Sequence, residues 1–427
     1  MTAHKRGSGF SGLYKKTVLK NGLRVVTEAI PAVRSVSIGV WIDVGSRNEA
    51  PAENGLSHFI EHMLFKGTKR RDARELAAAL ECLGGGLNGF TSREQTCYYA
   101  RCLDEHLPVA VDVLADLACN SKLAAVHVER EKQVVGEEIK EALDNPSDRI
   151  HDLFTQTYWG DHPLGQPIMG TIENINRLTR AQTISFMKRH YRSESIVISA
   201  CGAIDHEQIV RLAKKSFHFT DGNSDQPKPA ERPDKRIVHV EKIDNNQTHF
   251  CLGFPAPKYQ SPDKMNTLAL SSFLGGGMSS VLFQKIREDL GLAYSVYTFN
   301  DFYRDTGIFG IYLGTDGKNL RKAAELVLKE LRKMKKQKLT NSQLLKLKNQ
   351  MIGHLILSQE SPNGRMNRLA RQELMTGKYQ PLDKMLVEIS KVTSKGIAEM
   401  AERIFDESRA AVAVLGPVSK AVIDGVL

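Results

Sequence analysis

The segment His58-Phe59-Ile60-Glu61-His62 carries residue types at a spacing that suits metal binding with proton transfer. Residues four apart on a helix project from one face, so the two imidazoles can reach a single zinc ion. The order is the reverse of the more familiar H-E-x-x-H pattern. Glu61 stands beside the second histidine, within reach of a water on the metal, where a carboxylate can act as general base. Zinc used in this way needs a third protein ligand and one open position. Glu138, 76 residues beyond His62, is the candidate. It lies in the run Glu129–Lys140, where Glu131 and Glu138 are seven apart and share a face with Val134 and Val135. Carboxylates interleaved with an apolar stripe are costly to bury unless they are paired or bound to metal. The five-residue motif alone is equally compatible with an ordinary solvated helix.

The elements that must position these groups follow from local pattern. Asn54 to Gly67 reads as one helix, with Asn54 as N-cap and Gly67 just past the end. Around Ser224 to Lys235 three prolines and many charges read as an exposed linker. It divides the chain into an N-terminal domain, residues 1–223, and a C-terminal domain, residues 236–427, with 224–235 between them. The halves echo each other, as an internal repeat would. Each opens on β-rich text, Leu23–Val26 and Val36–Ile42 in the first, Ile237–Val240 and His249–Phe254 in the second. A helix follows at about 54–66 and 264–274, and amphipathic runs at 107–114 and 320–327 correspond. Val134–Ile139 matches Met351–Ile356, and Asn145-Pro146 matches Ser361-Pro362. Runs of strands and runs of helices indicate an α+β fold: two duplicated domains, each a largely antiparallel sheet packed with helices.

Composition excludes several classes. The 427 residues exceed one ordinary core. No stretch approaches the ~18 apolar residues of a membrane span. The N-terminus, Met1 to Lys16, is basic and polar without a signal-peptide apolar run, which points to the cytoplasm ahead of the mitochondrial matrix. Six cysteines, none in a C-x-x-C pair, read as buried free thiols. The net charge is +10, but the densest basic run, Lys329–Lys336, sits on amphipathic helix text with no aromatic interleaving, so nucleic acid is not an expected partner.

Beyond the motif, the chain resembles a known family nearly throughout. The stretches Gly55–Gly67, Leu87–Tyr99, Glu131–Glu141, His162–Gly170, Gly275–Ser280 and Ile286–Tyr297 are similar, in order, to the inverzincin peptidases. These are the family of pitrilysin, insulin-degrading enzyme and mitochondrial processing peptidase. The length resembles the short processing-peptidase chains, which form half of a clamshell chamber. The resemblance implies a zinc metalloendopeptidase with His58, His62 and Glu138 as ligands, Glu61 as general base and Glu131 supporting the site. It implies that Arg287 and Tyr294 reach the substrate carbonyl and that Asn88 lies beside an edge strand pairing with substrate. It further implies that Asp148 and Asp152, ten and fourteen residues past Glu138, contact a substrate arginine; the local alternative is that they cap a helix. Substrates would be unfolded peptides or presequence-like segments. Because one chain carries both residue sets, a homodimer is expected. The alternative is a non-catalytic structural subunit of the same fold, whose signature would be loss of these residues. The chain departs from the family at Gly89, where alanine is usual, and at Val281, where arginine often stands. The second half has no His pair, and Leu355 stands opposite Glu138, so only the first half is expected to bind metal.

Overall fold

The computed structural model describes residues 13–232 and 234–426, so most of the basic N-terminal segment and Pro233 of the linker lie outside the described residues. Among the described residues the eleven strands are β1 (Leu13–Val18), β2 (Arg24–Ala29), β3 (Ser35–Ile42), β4 (Gly86–Thr91), β5 (Thr96–Leu103), β6 (Ile196–Gly202), β7 (Ile237–Lys242), β8 (Thr248–Pro255), β9 (Ala293–Phe302), β10 (Gly307–Thr315) and β11 (Ala411–Gly416). They form two sheets, ordered β1-β2-β6-β3-β5-β4 and β7-β11-β8-β10-β9. Apart from β1, the second sheet repeats the first strand for strand. Both contain one parallel pair, β2 with β6 and β7 with β11, and are otherwise antiparallel. The duplication read from sequence is therefore present in the topology.

Each sheet is covered on both faces, which explains why β3 and β8 are buried almost end to end rather than alternating. On β3, Val36, Ile38, Val40 and Ile42 enter the core shared with Leu56–Leu64, Leu107–Asn120 and His206–Ser216. Trp41 points to the other face, where it meets Met366, Leu369, Ala370 and Leu374. These four belong to the helix Pro362–Thr376, which comes from the far end of the chain. The same exchange occurs in reverse. The helix Pro146–Trp159 packs Ile150, Phe154, Tyr158 and Trp159 against Cys251, Ala411 and Ala413 of the second sheet. Gly253 makes room for it, since a Cβ there would lie 2.2 Å from Phe154 Cζ. The chain accordingly divides into two compact units. Among the described residues, the first spans 13–139, 167–228 and 356–385, and the second 140–166, 229–355 and 386–426.

A buried ion cluster fastens the exchanged helix in the first unit. Glu28 on β2 receives Arg365 Nη1 at 2.7 Å and Arg368 Nη2 at 2.6 Å. Glu28 is fully enclosed, and losing one partner of such a buried cluster typically costs about 3–5 kcal/mol. Of the six cysteines, Cys97, Cys102, Cys201 and Cys251 are buried, Cys119 is partly so and Cys82 is exposed; all are free thiols. The reading of buried thiols therefore fails at Cys82, which follows the last residue of the helix Ala73–Glu81. Among the described residues no helix is long and apolar enough to cross a membrane.

Candidate metal centre

The motif helix is Leu56–Leu64, and its N-cap is Gly55 at φ +95°, not Asn54. A left-handed residue suits glycine, and a Cβ at Gly55 would also meet Met169 O at 2.6 Å. The capping group arrives from elsewhere. Buried Glu49 accepts the backbone N–H of Gly55 at 2.8 Å and of Ser57 at 2.6 Å, and the Asn54 amide at 3.3 Å. These satisfy donors that the first turn of a helix cannot pair internally. Burial nevertheless pushes the Glu49 carboxyl up to about 8, against the pull of its donors.

The stripe Leu56, Phe59, Ile60, Met63 and Leu64 is buried, which turns His58, Glu61 and His62 to the partly open side. The helix Ala125–Asp144 anchors itself through Val128, Val135 and Ile139 and brings Glu131 and Glu138 alongside. His62 Nε2 lies 3.3 Å from Glu138 Oε2, and His58 Nε2 lies 3.9 Å from the same oxygen. One ligand atom from each of His58, His62 and Glu138 can be chosen so that all lie within 4.8 Å of one another. Among the described residues this is the one such cluster of three or more potential ligands.

The donor set fits zinc. Ligand atoms about 2 Å from a shared tetrahedral ion stand roughly 3.3 Å apart, close to the separations seen. The cluster mixes two imidazoles with one carboxylate, as catalytic zinc sites do. His62 Nδ1 faces Glu131 Oε1 at 3.0 Å, which puts the ring proton on Nδ1 and leaves Nε2 as the ligand atom. Glu131, only 3% exposed, is held on its other oxygen by Lys66 Nζ at 2.9 Å.

Electrostatics divides the two histidines. Burial, helped by the neighbouring His62, lowers His58 to about 4, so it is a neutral ligand at ordinary pH. Burial also opposes charge on His62, but the Glu131 hydrogen bond and the charges of Glu138, Glu131 and Glu61 outweigh it and raise its pKa. A cation bound at the cluster would displace that proton. Burial raises Glu61 too, while Thr91 Oγ1, donating to Glu61 Oε2 at 2.6 Å, pulls the other way. Glu131 stays below the usual range: burial works against this, and the His62 and Lys66 hydrogen bonds prevail.

The family models decide the chain's relationship. The model described as insulinase, peptidase family M16, matches residues 24–172, and the one described as peptidase M16 inactive domain matches 177–351.

The chain belongs to peptidase family M16.

Among M16 relatives, the Bacillus subtilis protein named uncharacterized zinc protease YmxG is 40% identical over 409 residues, 95% of this chain and 98% of the relative. A Rickettsia bellii protein, also named uncharacterized zinc protease, is 37% identical over 403 residues, 93% of this chain and 96% of the relative. The crystal structure of a protease from Helicobacter pylori superposes with a TM-score of 0.89 at 24% identity, over 96% of this chain and all of that one. This last likeness establishes the two-domain M16 fold.

The other expected site residues fall as follows. Asn88 is exposed on β4, the edge strand beside β5, and its Oδ1 accepts the N–H of Gly89. Arg287 and Tyr294 belong to the second unit and are brought together there: the guanidinium lies 4.8 Å from the Tyr294 ring centroid and 4.8 Å from that of Phe283. Tyr294, 72% exposed, stands on β9, the counterpart of β4 at the edge of the repeated sheet. Asp148 and Asp152 lie on the helix Pro146–Trp159, also in the second unit. Asp148 is exposed and accepts the Asn145 amide at 2.7 Å, while Asn145 caps that helix through Ser147 N–H. Sequence reasoning missed Glu49, Lys66 and Thr91. Glu49 and Lys66 offered no pattern that separates them from surface charges. Thr91 stood inside the stretch Leu87–Tyr99 that resembles the family, without a spacing rule tying it to Glu61.

Proposed function

We propose that this chain is a zinc metallopeptidase that hydrolyses peptide bonds in unfolded peptides or presequence-like segments. The observation that carries the reading is the His58/His62/Glu138 cluster with Glu61 on the helix of the two histidines. His58, His62 and Glu138 would hold the metal, and the zinc protease names of close M16 relatives support its identity. Zinc held there supplies Lewis acidity, which polarises a carbonyl and brings the pKa of a water from 15.7 to about 7.

The remaining work belongs to the protein. Glu61 takes a proton from the attacking water and returns it to the leaving amine. Its enclosure, which favours the protonated form, suits a group that must hold that proton between the two steps. Glu131 keeps the His62 ring oriented and its proton on Nδ1. Among the described residues β4 pairs only with β5, and an extended substrate would add as a further strand along its other edge. Main-chain pairing of that kind tolerates varied sequences, and Asn88 lies on the strand that would do it. Arg287 and Tyr294 supply donors to the oxygen of the carbonyl under attack. Asp148 and Asp152, four apart on one helix, hold a substrate arginine near the scissile bond.

The chain carries both the metal cluster and the Arg287/Tyr294 pair, so the reading includes a homodimer enclosing a chamber. Light scattering should give twice the 47.6 kDa chain mass; a fully active monomer would refute that part. The central test is Glu61→Gln. The variant should keep about one zinc per chain and lose peptide turnover by at least about a hundredfold, the lower range for a lost general base. Chelation of the wild type should abolish cleavage. Undiminished turnover in Glu61→Gln would overturn the mechanism, and a zinc-free inert wild type would favour a structural subunit.

A further inference from the structure

We infer that Thr91 is a positioning residue for Glu61: its hydroxyl fixes the carboxylate so that Oε1 is the oxygen that accepts the proton. The inference rests on the reading of Glu61 as general base and deepens it.

The geometry is specific. Thr91 Oγ1 donates to Glu61 Oε2 at 2.6 Å, in the short range typical of a hydroxyl on a carboxylate. A glutamate side chain has three rotatable bonds and a broad terminal torsion, so on a partly open helix face its carboxylate samples several orientations. One strong donor on one oxygen removes most of that freedom. The donor itself is well placed to do so. Thr91 is the last residue of β4 and is paired in register with Thr96 of β5. Thr96 is in turn buried, with its hydroxyl on Val44 O at 2.9 Å. The position of the Thr91 hydroxyl is thus set by the sheet, not by a loop.

Alternation along β4 completes the arrangement. Successive side chains of a strand point to opposite faces. Phe90 packs edge-on against Trp41, on the face covered by the helix Pro362–Thr376. Gly89 and Thr91 therefore share the opposite face, toward the motif helix. A Cβ at Gly89 would lie 3.2 Å from Glu61 Cγ and 3.3 Å from Phe65 Cε2. Gly89 thus lies against the Glu61 stem, where a Cβ would crowd it by only a few tenths of an ångström, and Thr91 holds its end. The two residues also tie the general base to the very strand on which an extended substrate would pair. Misplacement of a reacting group by about 1 Å can cost a hundredfold in rate, so the link has kinetic consequence.

The experiment compares Thr91→Val, Thr91→Ser and Glu61→Gln in steady-state cleavage of an unfolded peptide, with zinc content and thermal midpoint measured for each. Thr91→Val keeps the shape and removes the donor; Thr91→Ser keeps the donor. The expected result is a kcat lowered roughly ten- to a hundredfold in Thr91→Val, with KM and zinc content near wild type. Thr91→Ser should recover to within a few fold. Wild-type kcat in Thr91→Val overturns the inference. So does equal loss in Thr91→Ser, which would assign the effect to packing of the methyl group. Loss of zinc in Thr91→Val in parallel with activity also overturns it, because the role would then be structural. Should Thr91→Val fail to fold, Thr91→Ser decides: near-wild-type kcat in it supports the donor role, and a large loss in a folded, zinc-loaded protein ends it. Glu61→Gln separates the two levels. An active Glu61→Gln refutes the general-base reading itself, whereas an inactive one beside an unaffected Thr91→Val refutes the positioning role alone.

Discussion

Replacing Glu131 by glutamine tests whether the residue behind His62 contributes to metal affinity. In the wild type one Glu131 oxygen faces His62 Nδ1 at 3.0 Å and the other faces Lys66 Nζ at 2.9 Å. Glutamine keeps the volume and can still accept from Nδ1–H through its single oxygen. It removes the negative charge that makes the imidazole a better ligand, and it turns an NH2 group toward the Lys66 ammonium, donor against donor. Lys66 is about one-third exposed and can swing into water, so the fold should lose only about 1 kcal/mol. The metal should lose more. Removing the partner of a ligating histidine costs about 10–100-fold in affinity, or about 1.4–2.7 kcal/mol. The assay is competition for zinc against a chromophoric chelator near pH 7.5, with thermal midpoints of the metal-free proteins as a control for folding. Glu141→Gln on the exposed side of the same helix supplies the comparison. The expected outcome is a zinc Kd raised ten- to a hundredfold in Glu131→Gln and unchanged in Glu141→Gln, with metal-free midpoints within a few degrees. An unchanged Kd in a folded Glu131→Gln protein would refute a contribution of the Glu131 charge to metal affinity.

Two further outcomes are expected. His190 is 3% exposed, its Nδ1 meets Ser224 Oγ at 2.7 Å, and burial, then the Arg189 charge, lowers its pKa to about 4. The unfolded chain therefore takes up a proton before the folded one does, so this contribution is complete above about pH 6.5 and is lost as pH falls toward 4. At pH 5 the difference is about 2 kcal/mol, and urea titrations at pH 7.5 and 5 should show a smaller acid loss in His190→Asn than in wild type; equal losses would refute the assignment. For specificity, Asp148→Asn combined with Asp152→Asn should raise KM severalfold for peptides with arginine near the scissile bond and leave other peptides unaffected. A uniform effect, or a fall in thermal midpoint alone, would make the pair a helix-capping feature.

Much of this protein was legible as local pattern, because local pattern is what periodicity and spacing encode. The histidine pair at four-residue separation faces one way on any helix, and the stripe from Leu56 to Leu64 fixes which side is buried. The repeat of strand text in both halves reappears as two sheets with one strand order. Local rules failed where a partner arrives from outside their window. Asn54 has the right type for an N-cap, yet Gly55 takes the position because buried Glu49 reaches the same N–H groups. Likewise nothing in Leu87–Thr91 announces that Thr91 will meet a carboxylate 30 residues earlier. Amphipathic period says that a helix owns an apolar face but not which sheet that face will cover. The helices Pro146–Trp159 and Pro362–Thr376 each cover the sheet built from the other half, a choice made by shape at Gly253 and Phe154 and by charge at Glu28, Arg365 and Arg368. Tertiary structure alone decided those pairings, because they depend on contacts between residues 99 and 340 positions apart, a separation over which a linear pattern carries no phase.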